Sequence, residues 1–226
     1  MRLGDGFPGA IAPDGQYVVS FVPTQPPRLV LLPTGAGSAV PLRGFPAGVS
    51  YGAAWLPNGK ALLVIASAGG GAGFRLYRQN LRDDAPVGPP RAISGPVLPE
   101  LHPPVSPDSQ TVLARNARDS KWYLYRTAGG APRPLAIQLK AGEIPIRWSA
   151  HGRRLFVISG MKFPVTAYAI SAVTGQRSKL FTIAPQDLAG MMPGFFVSPV
   201  ITPDGKYYAY SLARYLSALF EAQPSR

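Results

Sequence analysis

Eleven carboxylates, two histidines and no cysteine leave few ways to assemble a reactive centre in this 226-residue chain. A thiolate nucleophile, a disulfide and a thiolate metal site are excluded. His102 precedes Pro103-Pro104 in what reads as an inner strand, and His151 stands in a turn. No HxH or HxxxH spacing pairs an imidazole with a second ligand, as a zinc site would need. No G-x-S-x-G elbow presents a serine nucleophile. The run Gly69-Gly70-Gly71-Ala72-Gly73-Phe74 is followed by neither Gly-Lys-Ser/Thr nor a helix, so it reads as a hairpin loop and not as a phosphate cradle. Asp83-Asp84 is a paired acid in a loop; a solvated turn is the plain reading and weak cation binding the alternative. The expectation is no catalytic residue, no cofactor and no metal.

The residue types that do recur are turn formers. IAPDGQYVVSF, WLPNGKALLVI, VSPDSQTVLAR, WSAHGRRLFVI and ITPDGKYYAYS share one plan: an apolar residue, a small polar or proline step, a turn pair, then an apolar strand. The pairs are Asp14-Gly15, Asn58-Gly59, Asp108-Ser109, His151-Gly152 and Asp204-Gly205, spaced 44, 50, 43 and 53 residues apart. Asp and Asn hydrogen-bond the nearby backbone, and Gly meets no Cβ penalty at positive φ, so such a pair closes a tight hairpin. The strands that follow are Gln16–Val22, Ala61–Ala66, Thr111–Ala114, Leu155–Ser159 and Tyr207–Leu212. They are apolar on both faces, which suits strands packed between neighbouring sheets.

A second turn comes about twenty residues after each of the first four, at Thr34-Gly35, Asp83-Asp84, Gly129-Gly130 and Thr174-Gly175. Strands precede it at Arg28–Leu32, Phe74–Gln79, Trp122–Thr127 and Val165–Ala172. Shorter ones follow it at Val40–Arg43, Arg91–Ser94, Arg133–Ala136 and Lys179–Ile183. Four antiparallel strands per unit, repeated at this period, define a propeller blade. The fold class is therefore all-β: a β-propeller of four-stranded antiparallel blades forming one domain over 1–226. Its approximate blades are 5–45, 46–96, 97–141, 142–188 and 189–226, either part of a larger propeller or a five-bladed ring. The fifth unit lacks a fourth strand, and Met1–Leu3 is a short candidate for closing the ring. Trp55 and Trp148 hold equivalent places before turns and belong to the core between blades. Trp122, with Tyr123 and Tyr125, is packing or part of a binding surface.

Composition agrees. Hydrophobic residues are 46% and charged residues 15%, so the chain buries a core and is not disordered. The 26 prolines and 25 glycines are dispersed, as many turns require. No apolar run is long enough to cross a membrane as a helix, and MRLGDGFPGA has no apolar core of the signal-peptide kind. Net charge is +12, but the 23 Lys and Arg are scattered, so a solvated basic surface is expected and not a nucleic-acid site.

These segments resemble the WD40-like propeller repeats of TolB. RLGDGFPGAIAPDGQYVV, LVLLPTGAGSAVPL, IRWSAHGRRLFV and ITPDGKYYAYSLARYLSALFEA resemble more closely the C-terminal propeller of bacterial, acidobacterial-type, eukaryotic-like serine/threonine protein kinases. The carrying residues at the end are Asp204-Gly205, Tyr207–Tyr210, Arg214 and Leu216-Ser217-Ala218-Leu219. The resemblance implies a C-terminal piece of a larger propeller, with a kinase domain and often a membrane segment upstream and the propeller on the extracytoplasmic side. This chain has no Gly-rich kinase loop, HRD or DFG, so no kinase residue carries over. The function implied is a non-catalytic module for protein or small-ligand binding at a propeller face. The rival readings are an enzyme with a central-cleft site, and a basic surface for nucleic acid or anionic lipid.

Far-ultraviolet circular dichroism should show strand with almost no helix, even though Leu212–Ala222 has helix-prone composition. A strongly helical spectrum would refute the propeller.

Overall fold

The structure is a computed structural model that describes residues 3–46, 50–67, 73–187 and 199–211. The expected Gly69–Ala72 loop and the expected strand continuation beyond Ser211 lie outside the described residues. Among the described residues there is no helix. The first sheet holds β1 (Phe7–Ile11), β2 (Tyr17–Val22), β3 (Arg28–Pro33) and β4 (Val40–Leu42); the second holds β5 (Ser50–Trp55), β6 (Ala61–Ser67), β7 (Phe74–Arg82) and β8 (Ala85–Ala92). The third contains β9 (Thr111–Arg115), β10 (Trp122–Arg126) and β11 (Arg133–Pro134); the fourth contains β12 (Ile144–Trp148), β13 (Arg154–Ile158), β14 (Val165–Ser171) and β15 (Arg177–Ile183). A two-stranded ladder of β16 (Val200–Ile201) and β17 (Tyr208–Ala209) follows. Within each sheet the strands lie in sequence order and run antiparallel, as blades of a β-propeller do.

The third sheet departs from the four-strand expectation. His102 is not in a strand, and the inner strand shrinks to a single bridge between Val105 and Val112. Pro103, Pro104 and Pro107 supply no N–H to a ladder. The Pro104 carbonyl still accepts from Leu113 N–H at 2.9 Å, so the path of the missing strand survives without its full bonding.

Side-chain alternation joins the blades. Every residue of β6 from Ala61 to Ala66 is buried. Leu62, Val64 and Ala66 enter a core shared with Val19, Leu29 and Leu31 of the first sheet. Ala61, Leu63 and Ile65 enter a different core, shared with Val112, Ala114 and Tyr125 of the third. Leu113 then points the other way, toward Trp148, Leu155 and Val157 of the fourth sheet. Phe156 and Ala169 meet Ile201 of the last ladder. Burying a side chain of this size contributes about 1.5–3 kcal/mol, so β6, β9 and β13 each help stabilise two inter-blade cores.

The corners repeat in detail. The N–H groups of Gly15, Gly59, Ser109, Gly152 and Gly205 donate to the carbonyls of Ala12, Leu56, Ser106, Ser149 and Thr202, at 2.8–2.9 Å. Those five glycine or serine residues have φ of +76, +72, +62, +67 and +76°. Only the second residue of each pair is left-handed. The loop is thus a type I turn followed by a bulge residue, one step longer than a two-residue hairpin. At Asp83 and Asp84, φ is +50° and +59°; there a two-residue turn of the primed type joins Arg82 to Ala85.

Two further contacts hold neighbouring blades. An ideal Cβ on Gly52 would fall 1.9 Å from the Glu100 carbonyl oxygen, because the chain entering the third blade runs directly against β5. Arg177 on β15 pairs with Glu143, whose side chain is only 4% exposed, and also reaches the Gln138 carbonyl at 3.0 Å. The outer strand of the fourth blade thereby ties down the segment that leads out of the third.

Gly52→Ala should destabilise by about 3 kcal/mol or more, since the obstruction is backbone and cannot rotate away; a near-neutral denaturation midpoint would contradict this packing. Arg177→Ala leaves a buried carboxylate unpaired and should cost about 3–5 kcal/mol, with Glu143→Gln in the same background recovering part of the loss. No recovery would show that the ion pair is not the cause.

Candidate functional site

A groove of about 1300 Å³ opens between the third and fourth blades, on the face that carries the corner turns. Its walls come from the corner Ser106–Asp108, the end of β10, the turn and outer strand that follow, and Trp148, His151 and Gly152 of the fourth blade. Its existence follows from the sequence of the third unit. Pro132 and Pro134 flank Arg133, and β11 has two residues, where β4 has three, β8 eight and β15 seven. The third blade is therefore short on its outer side, and the space beside it stays open.

The repeat shows what is different here. Register places Arg91 opposite Arg78 in the second blade, and Arg133 opposite Leu124 in the third. Arg78 donates to the Thr127 carbonyl at 3.2 Å, and Arg91 donates to the Ala128 carbonyl; both cross to the third blade and bridge the gap. In the third blade the first of these positions is Leu124, which joins the core. Arg133, at the second, finds no hydrogen-bond acceptor in the fourth blade among the described residues; its charge acts on Asp108 of its own blade. Arg126, two residues along β10 from Leu124, shares that sheet face and has no hydrogen-bonded or ion-paired partner among the described residues either. Two exposed guanidinium groups thus flank the groove.

Trp148 adds a third unsatisfied donor. Its counterpart Trp55 donates from Nε1 to the Ala10 carbonyl of the preceding blade at 3.3 Å. Trp148 is 8% exposed, and its Nε1 is buried with no acceptor. Buried donors are normally paired, so this orphan, closed off from the groove, marks a break in the pattern that Trp55 follows.

Ser106, Asp108 and His151 all line the groove, which invites a hydrolytic reading. The bonding pattern does not support one. Ser106 Oγ donates to Asp108 Oδ1 at 2.5 Å and accepts from Thr111 N–H at 2.9 Å, and Asp108 Oδ1 also accepts from Gln110 N–H. Thr202, Asp204, Lys206 and Tyr207 repeat the same arrangement in the last unit. A nucleophile would need its hydroxyl on the imidazole; here it stitches a corner. The Ser106 hydroxyl, chiefly, and the Gln110 N–H hold the Asp108 carboxyl below its usual range, and the charge of Arg133 adds to this.

The other residues singled out by sequence fall elsewhere. Asp14, Asn58 and Asp204 accept from the N–H of Gln16, Lys60 and Lys206. Ser109 ties two corners together, its Oγ accepting from Asn58 N–H at 3.2 Å. His102 is exposed. Among the described residues no three His, Cys, Asp or Glu side chains gather as metal ligands, and no helix is long and apolar enough to cross a membrane. At the far end of β9, Glu100 pairs with Arg115 at 2.9 Å while Arg115 lies over the Trp122 ring. Burial raises the Glu100 carboxyl, against the pull of Arg115. Sequence reading missed Arg126, Arg133 and the orphan indole; the only signal available was the loss of an arginine at Leu124 relative to Arg78.

No family model matches the chain, and no curated protein does. Solved structures do. TolB from Acinetobacter baumannii is similar at TM-score 0.62 and 15% identity, over 91% of this chain and 53% of that one. A putative dipeptidyl aminopeptidase IV from Bacteroides ovatus is similar at 0.56 and 12%, over 91% and 36%. The Cps50 (Swd1) β-propeller domain of Myceliophteria thermophila is similar at 0.54 and 15%, over 94% and 64%. The likeness shows the fold: a β-propeller of TolB-like and WD40-like form. The chain spans about half the length of the Acinetobacter TolB chain.

A carboxyl held low in the folded state stabilises it above the unfolded value of about 3.9, and that contribution fades as pH falls through the lower folded value. Asp108→Asn should therefore flatten the acid limb of the thermal midpoint below about pH 4. An unchanged limb would show that the Ser106–Asp108 bond does not persist in solution.

Proposed function

We propose that this chain is a non-catalytic β-propeller module that binds a protein segment in the groove between its third and fourth blades. The observation that carries the reading is the groove itself: the arginine bridges that close the neighbouring gap are missing where the short third blade meets the fourth. Rigid sheets hold its walls while turns supply its surface, the usual division between scaffold and binding loops. The five-unit division at 5–45, 46–96, 97–141, 142–188 and 189–226 is part of this proposal, supported by the repeated corner bonding. The resemblance to the C-terminal propeller of receptor-type serine/threonine kinases supports a sensor or interaction role within such a protein, on the extracytoplasmic side.

Panning a random peptide library on the immobilised chain at physiological salt tests the reading. Enriched peptides should lose binding to Ala131→Trp, which plugs the groove from an exposed wall position, and keep it with Ser106→Ala. Binders indifferent to the plug would place the binding face elsewhere. Peptide cleavage abolished by Ser106→Ala would make the chain an enzyme.

A further inference from the structure

The inference rests on the binding reading above and specifies its ligand: we propose that the groove takes an acidic peptide, with side-chain carboxylates on Arg126 and Arg133 and the rest of the peptide over the apolar floor that includes Trp148.

The second blade supplies the template. There Arg78 and Arg91 spend their guanidinium donors on two successive carbonyl oxygens, Thr127 and Ala128 of the next blade. Arg133 occupies the place of Arg91, and among the described residues the fourth blade bonds no oxygen to it. An extended chain lying in the groove brings its own oxygens to that place. Planar guanidinium forks match carboxylates in two parallel bonds, which favours an acidic side chain over a bare carbonyl.

Charge points the same way. Register puts Arg133 opposite Leu124 and Arg126 two residues farther along the same face, so two like charges stand diagonally adjacent. The carboxylate lining the groove is Asp108, and it is committed to Ser106 and Gln110. His151 stands where three of the other four corners carry an aspartate, so the fourth blade's corner brings no negative charge to the groove. Between the arginines lies an apolar floor that includes Leu124, Ile137 and Trp148. Trp148 itself lines the groove, so its indole senses what lies on that floor even though its N–H is closed off from it.

The test is titration of the intact chain with an N-acetylated, C-amidated hexaglutamate peptide at about 150 mM salt, where exposed charges farther apart than about 8 Å are screened. The indole cross-peaks in nitrogen-15 NMR give the readout, and Trp148→Phe assigns the Trp148 peak. If that variant fails to fold, paramagnetic broadening from a spin-labelled peptide assigns it instead. Hexaglutamate should shift the Trp148 peak saturably. Arg126→Gln with Arg133→Gln should weaken binding at least about tenfold, while Arg43→Gln with Arg118→Gln, which removes the same charge elsewhere, should leave it within about twofold.

Equal weakening by both pairs would reduce the effect to net charge and overturn the proposal. So would a hexathymidylate that competes with hexaglutamate at the same peak, since phosphate and not carboxylate would then be the ligand. If hexaglutamine shifts the peak and hexaglutamate does not, the groove binds peptide and only the acidic assignment falls. If neither peptide moves the peak, the assignment falls and the groove-binding reading rests on the library experiment.

Discussion

The structure depends on the two-faced burial of the second strand in the second, third and fourth blades. A β-strand sends alternate side chains to opposite faces. In β6 both sets are apolar and both are buried, and they enter different cores. A strand of this kind cannot be satisfied by one sheet. It requires a neighbour on each side, and those neighbours require the same in turn. An array of sheets packed face to face follows, with no single central core; Leu113 and Phe156 carry the pattern through the third and fourth blades.

Regularity at the corners makes this array possible, and one irregular unit gives it a candidate function. The five corners use the same backbone bond whether the bulge residue is glycine or Ser109. Ser109 accepts a left-handed φ, but its hydroxyl then joins the second blade's corner to the third's. The third unit departs further. Its inner strand is broken by proline, its outer strand is two residues long, and its arginines lack the acceptors that the second unit's arginines find. The groove lies where these departures accumulate.

Much of the architecture was legible in the sequence because strands and corners are local. Asp-Gly and Asn-Gly pairs, proline steps and apolar runs each act over a few residues, so reading them in order recovered the strand succession. What was not legible is relational. The short contact behind Gly52 depends on where the chain after the second blade passes. The Arg177–Glu143 pair spans 34 residues and announces itself in neither segment. The repeat predicts a strand at His102, but the prolines beside it lack the N–H groups that such a strand needs. The groove arginines looked like any other scattered positive charge until the register set Arg133 against Arg91.

A double-mutant cycle on the two faces of β6 tests the central claim most directly. Leu63→Ala and Val112→Ala share an inter-blade core, whereas Leu63 and Val19 lie in separate cores. Leu63→Ala should cost about 2–5 kcal/mol. It should couple to Val112→Ala by about 0.5 kcal/mol or more and add to Val19→Ala within about 0.5 kcal/mol. Coupling to Val19 with simple additivity toward Val112 would mean that β6 faces its neighbours the other way round, and the account of the wheel would fail.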